Sequence, residues 1–572
     1  MPARFSLTLV ADFPAGSYSL PDRNAATSSD NGGVESIMIK RRTLFGVMAG
    51  LVTAKARAQS MTDAPIASTA HGRVRGATDE GIHVFKGIPY GATTAGAARF
   101  HAPAPPADWS GIRDALAYPP MAPQSIFTPG SLFASWTFDK ELSEDCLALN
   151  VWTPGLRDRA RRPVMVWFHG GDFSSLSGSR NVYDGVRLCR RGDVVVVTVN
   201  HRLNAFGYMY LAEAAPQLAA AANPGMLDLV AALRWVHDNI AEFGGDPDNV
   251  TIFGQSGGGG KVSTIMAMPD AAGLFHRAIV QSGSYARNAH LQAMSPDEGT
   301  RHARTLLAAL EIQPGDAEKL ATLPMDALVA GTAEVARGPD RAIWRPVADG
   351  KVLPRGPWWP DAPAVSAQVP LMIGTTATEM TMLIGASDPA TFTLDEDGLH
   401  KRLAAWMKPE DADRLITTFR TDRPEASPSD LFFAIATAGS FRKGAWTQVG
   451  LKAAQNAAPV YLYELDWQTP VDGGKWHSPH SLDLALVFDN VGKSASMVGS
   501  GPDPQRVADW MSRAWLAFAR TGNPATPELP WPAWQPDSRA AMVFDTESRV
   551  VNGFRDDERT LLASLASKGP FD

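Results

Sequence analysis

Cysteine is almost absent from this chain: Cys146 and Cys189 are the only two in 572 residues. At most one disulfide is available, so bridges are not what holds the fold together. Long apolar runs are missing too. Nothing approaches the ~20 consecutive residues that a membrane-spanning helix needs, which argues against stable membrane insertion. Basic charge is not in excess: 53 Lys and Arg stand against 60 Asp and Glu, a formal net charge of −7. No basic stripe offers a footprint for nucleic acid. HExxH and paired CxxC patterns are lacking, so no metal site is read from the sequence. What is present suffices for a large packed core, with 45% hydrophobic and 20% charged residues.

The N-terminal 37 residues are polar, contain Gly, Ser and Asn, and have no periodic pattern, which reads as a disordered tail or a mis-assigned start. Residues 38–58 follow with Arg41-Arg42, a short, imperfect apolar stretch and Ala56-Arg57-Ala58. A twin arginine, a Gly-containing apolar region and a small-x-small site have the pattern of a twin-arginine export signal. The expectation is cleavage near Ala58-Gln59 and a periplasmic or secreted protein.

From about residue 65 to 560 the chain reads as one domain, with no internal repeat and no low-complexity linker. Val164 to Phe168 and Val194 to Val199 are continuous apolar runs, as expected for strands buried on both faces of a parallel sheet. Between them and the next strand, Leu229, Leu233, Val236 and Ile240 recur at helical spacing. Residues 370–374 and 460–465 read as further strands. This β-α-β order predicts an α/β fold with a mainly parallel sheet, helices on both faces and large loop or helical insertions.

The sharpest local signal is Val250-Thr251-Ile252-Phe253 running into Gly254-Gln255-Ser256-Gly257-Gly258. A β-branched and aromatic run followed by G-x-S-x-G has the form of a nucleophile elbow, which lifts one serine out of a strand-to-helix turn. The N–H of the next residue, Gly257, then faces a developing oxyanion. Upstream, the strand at 164–168 ends in His169-Gly170-Gly171-Asp172-Phe173. Taken alone this is an ordinary glycine turn. Beside an elbow it reads as the second part of an oxyanion hole, where backbone N–H groups must approach the substrate closely.

Many separated segments, in order, resemble the type-B carboxylesterase/lipase family of α/β-hydrolases, which includes cholinesterases and bacterial para-nitrobenzyl esterases. They include Phe85-Lys86-Gly87-Ile88-Pro89-Tyr90, Ser143-Glu144-Asp145-Cys146-Leu147, Phe243-Gly244-Gly245-Asp246-Pro247 and Phe518-Ala519-Arg520-Thr521-Gly522-Asn523-Pro524. The resemblance implies an α/β-hydrolase fold and a serine carboxylesterase that needs no cofactor and no metal. Its implied partner is a small-molecule ester. Ser256 is the implied nucleophile, Glu379 in Gly374-Thr375-Thr376-Ala377-Thr378-Glu379 the implied triad acid, and His480 in His480-Ser481-Leu482-Asp483-Leu484 the implied base. Gly171, Asp172 and Gly257 are the implied oxyanion-hole donors. Two other histidines follow Glu379. His400 sits in a charged amphipathic segment expected on a helix surface, and His477 lacks the downstream pattern and is expected at the entrance or exposed.

Three departures from the family pattern carry chemistry. Gln255 replaces the usual acidic residue before the serine, removing a negative charge near the acyl site. Asp172 stands where a small residue is usual; the expectation is that its N–H serves the oxyanion while its carboxylate faces away. Ala122 occupies the place of a cysteine that often pairs with the one matching Cys146, so Cys146 is expected to be a buried, inert thiol. Amide or carbamate cleavage on the same triad, or a non-catalytic family member, are the alternative readings. The sequence leaves the oligomeric state and the ester's acyl and alcohol groups open.

Overall fold

The computed structural model describes residues 64–565, apart from 127–129, 138–140, 217–221, 285–292 and 338–340. The tail and export signal expected over residues 1–58, with Arg41-Arg42 and the Ala58-Gln59 junction, lie outside the described residues.

Eleven strands form one sheet: β1 (Ala77–Asp79), β2 (Ile82–Pro89), β3 (Ala148–Thr153), β4 (Arg162–Phe168), β5 (Val195–Val199), β6 (Gly245–Gln255), β7 (Arg277–Gln281), β8 (Leu371–Thr376), β9 (Val460–Leu465), β10 (Ala541–Phe544) and β11 (Arg549–Val551). Their spatial order is β11-β10-β9-β8-β7-β6-β4-β5-β3-β2-β1. The stretch from β10 to β5 is parallel, and antiparallel strands close both edges. The apolar runs read as strands therefore sit in the parallel centre, as their composition requires.

Alternate side chains feed two cores. Val164, Val166 and Phe168 of β4 enter one, while Met165 and Trp167 enter the other. Helix α1 (Pro224–Asn239) covers the first core with Leu229, Leu233 and Val236, the predicted helical stripe, and Ile240 extends it just past the helix end. α2 (Gly257–Ile265) leaves the elbow.

A third apolar cluster lies apart from the sheet. α3 (Glu396–Ala404), α4 (Pro409–Thr421) and α5 (Pro428–Thr437) join Leu403, Leu415, Phe419, Leu431 and Phe433 around their own core. This stretch is one of the large loop or helical insertions expected from the sequence, and it is largely helical. A capping box at Ser427 and Asp430 starts α5. α6 (Lys443–Ala454) continues toward β9, and α7 (Pro502–Thr521) covers the second core with Val507, Met511, Trp515 and Phe518. Burying each such side chain contributes ~1.5–3 kcal/mol.

Both cysteines are free and buried, Cys146 in the first core and Cys189 in the second. Burial pushes both thiols up, out of the reactive range. Among the described residues, no helix is long and apolar enough to cross a membrane.

Candidate active site

Strand order reverses at β4: β5 lies on one side of it and β6 on the other. In open parallel sheets ligands bind at such a switch point, beyond the C-terminal strand ends. β4 ends at Phe168, directly before the His169–Phe173 loop, and β6 ends at Gln255, directly before Ser256. The two segments singled out in the sequence thus meet at the one place the topology favours for a site.

Ser256 has φ 58° and ψ −127°. This is a backbone conformation that a non-glycine residue adopts only where its surroundings enforce it. Its N–H donates to the Gln281 carbonyl at 2.8 Å, and its own carbonyl accepts from the Gly260 N–H at 3.0 Å. The flanking glycines are needed for space. A Cβ on Gly258 would stand 2.0 Å from the Phe168 carbonyl oxygen, and one on Gly257 would stand 2.2 Å from Asp172 Cα. The His169–Phe173 loop therefore lies directly on the first turn of α2. Gly171 and Asp172 both have left-handed φ, +79° and +53°. The loop passes beside the serine, with the Cβ position of Gly170 3.5 Å from Ser256 Cβ.

The Asp172 side chain is largely buried, and its Oδ2 lies 3.8 Å from Arg345 Nη2. Its carbonyl accepts from Lys261 Nζ at 2.6 Å, and the His169 carbonyl accepts from the same nitrogen at 3.0 Å.

Glu379 stands three residues beyond the end of β8, fully buried. Its Oε1 accepts the Thr376 N–H at 2.8 Å. Its Oε2 lies 2.5 Å from His480 Nδ1, so the proton shared there leaves Nε2 of the imidazole as the free lone pair. His480 is buried, with the Phe441 ring 5.2 Å away. Its Nε2 is 3.2 Å from Gln255 Nε2, on the residue before Ser256. Glu379 and His480 thus meet from the end of β8 and the loop after β9, and Gln255 at the end of β6 brings the residue before Ser256 against the imidazole.

The Thr376–Glu379 loop is anchored by an ion-pair network. Arg442 donates to the Ala377 carbonyl at 3.1 Å and pairs with Glu464 at 2.6 Å and Glu558 at 3.2 Å. Arg555 pairs with Glu464 at 2.6 Å. Burial disfavours the Glu464 carboxylate, but Arg442 and Arg555 outweigh it and hold its carboxyl below the usual range.

The other two histidines are elsewhere engaged. His400 is on α3, exposed, with Nε2 3.1 Å from Asp413. His477 is not simply exposed at an entrance: its Nε2 lies 2.9 Å from Asp430 at the start of α5 and its Nδ1 3.2 Å from Gln468. That pairing and the Ser427 bonds hold Asp430 down at about 2, against the opposing effect of burial.

Sequence reading passed over three further groups. Gln255 was treated only as a lost charge, yet its amide touches the imidazole. Asp483 lies in the quoted histidine segment without a role; burial pushes it up to about 7, while Gln281 Nε2 donates to it at 2.7 Å. Lys261 is fully buried against the His169–Phe173 loop. A lone charge inside Gly257–Ile265, otherwise small and apolar apart from hydroxyls, was the signal available for it.

With this geometry in view, comparison with known proteins decides the family. The model of the carboxylesterase family matches residues 63–561.

The chain belongs to the carboxylesterase family.

Over 516 residues it is 34% identical to the para-nitrobenzyl esterase of Bacillus subtilis, covering 88% of this chain and 99% of that one. It is 33% identical over 502 residues to the phenmedipham hydrolase of Pseudarthrobacter oxydans, covering 86% and 97%. A crystal structure of a Geobacillus stearothermophilus carboxylesterase superposes with a TM-score of 0.75 at 38% identity, covering 87% of this chain and 99% of that one. The fold is that of the α/β-hydrolases, and this carboxylesterase is a carboxylic-ester hydrolase.

Proposed function

We propose that this carboxylesterase cleaves small carboxylic esters through Ser256, with His480 as its base and Glu379 orienting the base. The observation that carries the reading is the 2.5 Å Glu379–His480 contact on an imidazole whose other nitrogen reaches the residue adjoining an elbow serine. His480 Nε2 takes the Ser256 proton as the serine oxygen attacks the ester carbonyl. Glu379 keeps the proton on Nδ1 and stabilises the imidazolium. The tetrahedral oxyanion is met by the N–H groups of Gly171, Asp172 and Gly257; one such donor typically contributes about 2.7–4 kcal/mol. The imidazolium gives its proton to the departing alkoxide, leaving an acyl-serine and the free alcohol. Water then attacks the acyl-serine with His480 again as base, releasing the acid and restoring Ser256.

Gln255 gives the reading a particular start. Its amide sits on the lone pair that must receive the serine proton, so it has to yield that position as substrate binds. A neutral amide beside the acyl site also removes the attraction that a carboxylate would exert on cationic alcohol groups.

The test is Ser256→Ala, which should lower kcat on para-nitrophenyl esters by on the order of 10⁶ while the protein stays folded. A fluorophosphonate should label wild type stoichiometrically at Ser256. Label on any other serine overturns the assignment. A series of para-nitrophenyl esters of rising chain length, run beside an anilide, defines acyl range and ester against amide preference. Export is proposed from Arg41-Arg42 and Ala56-Arg57-Ala58; N-terminal sequencing of a periplasmic fraction should start near Gln59, and an intact cytoplasmic start at Met1 would contradict it.

A further inference from the structure

Lys261 is the most expensive side chain near the site to leave unexplained. It is fully buried, and an ammonium taken out of water is destabilised unless its surroundings reward it. Burial pushes it down to about 7, with the Asp172 carboxylate acting in the opposite direction. Its partners within hydrogen-bond range are two backbone carbonyls, His169 at 3.0 Å and Asp172 at 2.6 Å, and the Phe173 ring lies 5.4 Å away.

The placement follows from helix periodicity. Gly257 and Lys261 are four residues apart on α2 and so share one face. That face is where the loop rests, because a Cβ on Gly257 would collide with Asp172. Lys261 therefore rises from the helix surface that the loop covers, one turn behind the serine. The carbonyls it holds bracket Gly170 and Gly171. Loop carbonyls in such a place have no ladder to join and need a donor from elsewhere. At Asp172 the need is greatest, since a non-glycine residue held at φ +53° persists only when its surroundings over-determine it.

We propose that Lys261 is a positioning residue of the oxyanion hole: it clamps both ends of the segment His169–Asp172 so that the N–H groups of Gly171 and Asp172 keep their aim at the tetrahedral intermediate. This rests on the reading of Ser256 as nucleophile. It assigns Lys261 no contact with substrate and no proton transfer. A clamp of this kind acts on the transition state more than on ground-state binding, because the oxyanion exists only after attack. The same bonds explain how Asp172 is tolerated where a small residue is usual. The lysine holds its backbone from within, while Arg345 Nη2 lies 3.8 Å from its carboxylate.

The experiment compares wild type with Lys261→Met, which keeps the length of the side chain and removes its donors. On para-nitrophenyl butyrate, kcat should fall at least about 30-fold, roughly 2 kcal/mol of transition-state stabilisation, while KM stays within about threefold. Affinity for a trifluoromethyl ketone, which forms a tetrahedral adduct on the serine, should fall by a matching factor. Lys261→Gln, which keeps two N–H donors on a shorter side chain, should lie between the two. A kcat within about threefold of wild type overturns the proposal, as does a loss of kcat with unchanged affinity for the ketone. Where Lys261→Met does not accumulate as folded protein, Lys261→Gln carries the same comparison, and the same outcomes decide. Ser256→Ala in parallel separates the two readings. An active Ser256→Ala refutes the nucleophile, whereas an inactive one beside a fully active Lys261→Met refutes only the clamp.

Discussion

Around Ser256 the chain is positioned by side chains that are missing, whereas around Glu379 and His480 it is positioned by side chains that are buried and charged. Gly257 and Gly258 let backbone meet backbone at distances that no Cβ could share, and the serine takes up its unusual φ between two strand ends. Around Glu379 and His480 close packing is present too, since a Cβ on Gly374 would stand 2.3 Å from the Tyr463 carbonyl oxygen, but ion pairs are added to it. The loop after β8 is tied through Ala377 to the network of Arg442, Glu464, Glu558 and Arg555, and buried Asp483, three residues after His480, accepts from Gln281. The segment around Ser256 is therefore held largely by steric contacts that salt and pH leave untouched, with buried Lys261 adding its bonds to the His169 and Asp172 carbonyls. The segment around Glu379 and His480 depends in addition on ion pairs that both can reach.

Gly258→Ala should break the first half most severely. The added methyl would stand 2.0 Å from the Phe168 carbonyl oxygen, so either the elbow or the end of β4 must move. A displacement near 1 Å costs on the order of 10²-fold in rate. A steady-state assay should show kcat/KM down at least that far, and a value within tenfold would mean that the elbow yields more readily than its packing indicates.

Arg442→Met should break the second half differently. Removing one partner of a buried ion-pair network leaves Glu464 and Glu558 short of their counter-charge and typically costs about 3–5 kcal/mol. Thermal or urea unfolding should register that loss. The fall in kcat should be smaller than for Gly258→Ala, because Glu379 keeps its own bond to the Thr376 N–H.

Asp483→Asn sharpens the pH side of the comparison. The folded carboxyl is raised to about 7, by burial first and by Glu379 in addition, against an ordinary value of 3.8. A raised carboxyl contributes stability that is fully present below the unfolded value and is lost as pH rises through the folded one. Wild type should therefore lose stability between about pH 4 and 8 from this group, and the asparagine variant should not. The Tm of the variant relative to wild type should climb across that range; a flat difference would show that Asp483 is ionised throughout.

His477→Ala should have the smallest effect on turnover, within about threefold in kcat, since its ring is spent on Asp430 and Gln468. Its trace should appear in acid stability. The Asp430 carboxyl, depressed to about 2 chiefly by His477, contributes stability present above its ordinary value of 3.8 and lost as pH falls toward 2. The Tm difference between wild type and variant should be clear at pH 5 and shrink below pH 3. Loss of activity comparable to His480→Ala would overturn the choice of base.

Much of the fold was legible because its signals are local. Val164 to Phe168 and Val460 to Leu465 are strands because β-branched and aromatic runs suit a sheet buried on both faces. The elbow was legible because a strand, a serine and spaced glycines lie in one short segment. The helical cluster over 396–437 was not read, since its apolar positions are interrupted by prolines and charges whose capping role emerges only once the helices pack. His477 looked unattached because Asp430 lies far from it in sequence.

By itself the sequence determined the strand-and-helix order, the family, and which serine, carboxylate and histidine are present in the right succession. Those properties depend on residue type, spacing and order, and each can be read along the chain. Tertiary structure alone decided that Gln255 rests on the imidazole, that Asp483 is buried against Gln281, and that Lys261 holds the His169 and Asp172 carbonyls from within. The contacts of Gln255 with His480, of Gln281 with Asp483 and of Lys261 with His169 each depend on distance between segments far apart in the chain and on exclusion of water. Both set the strength of an electrostatic contact, and neither is written in the order of residues.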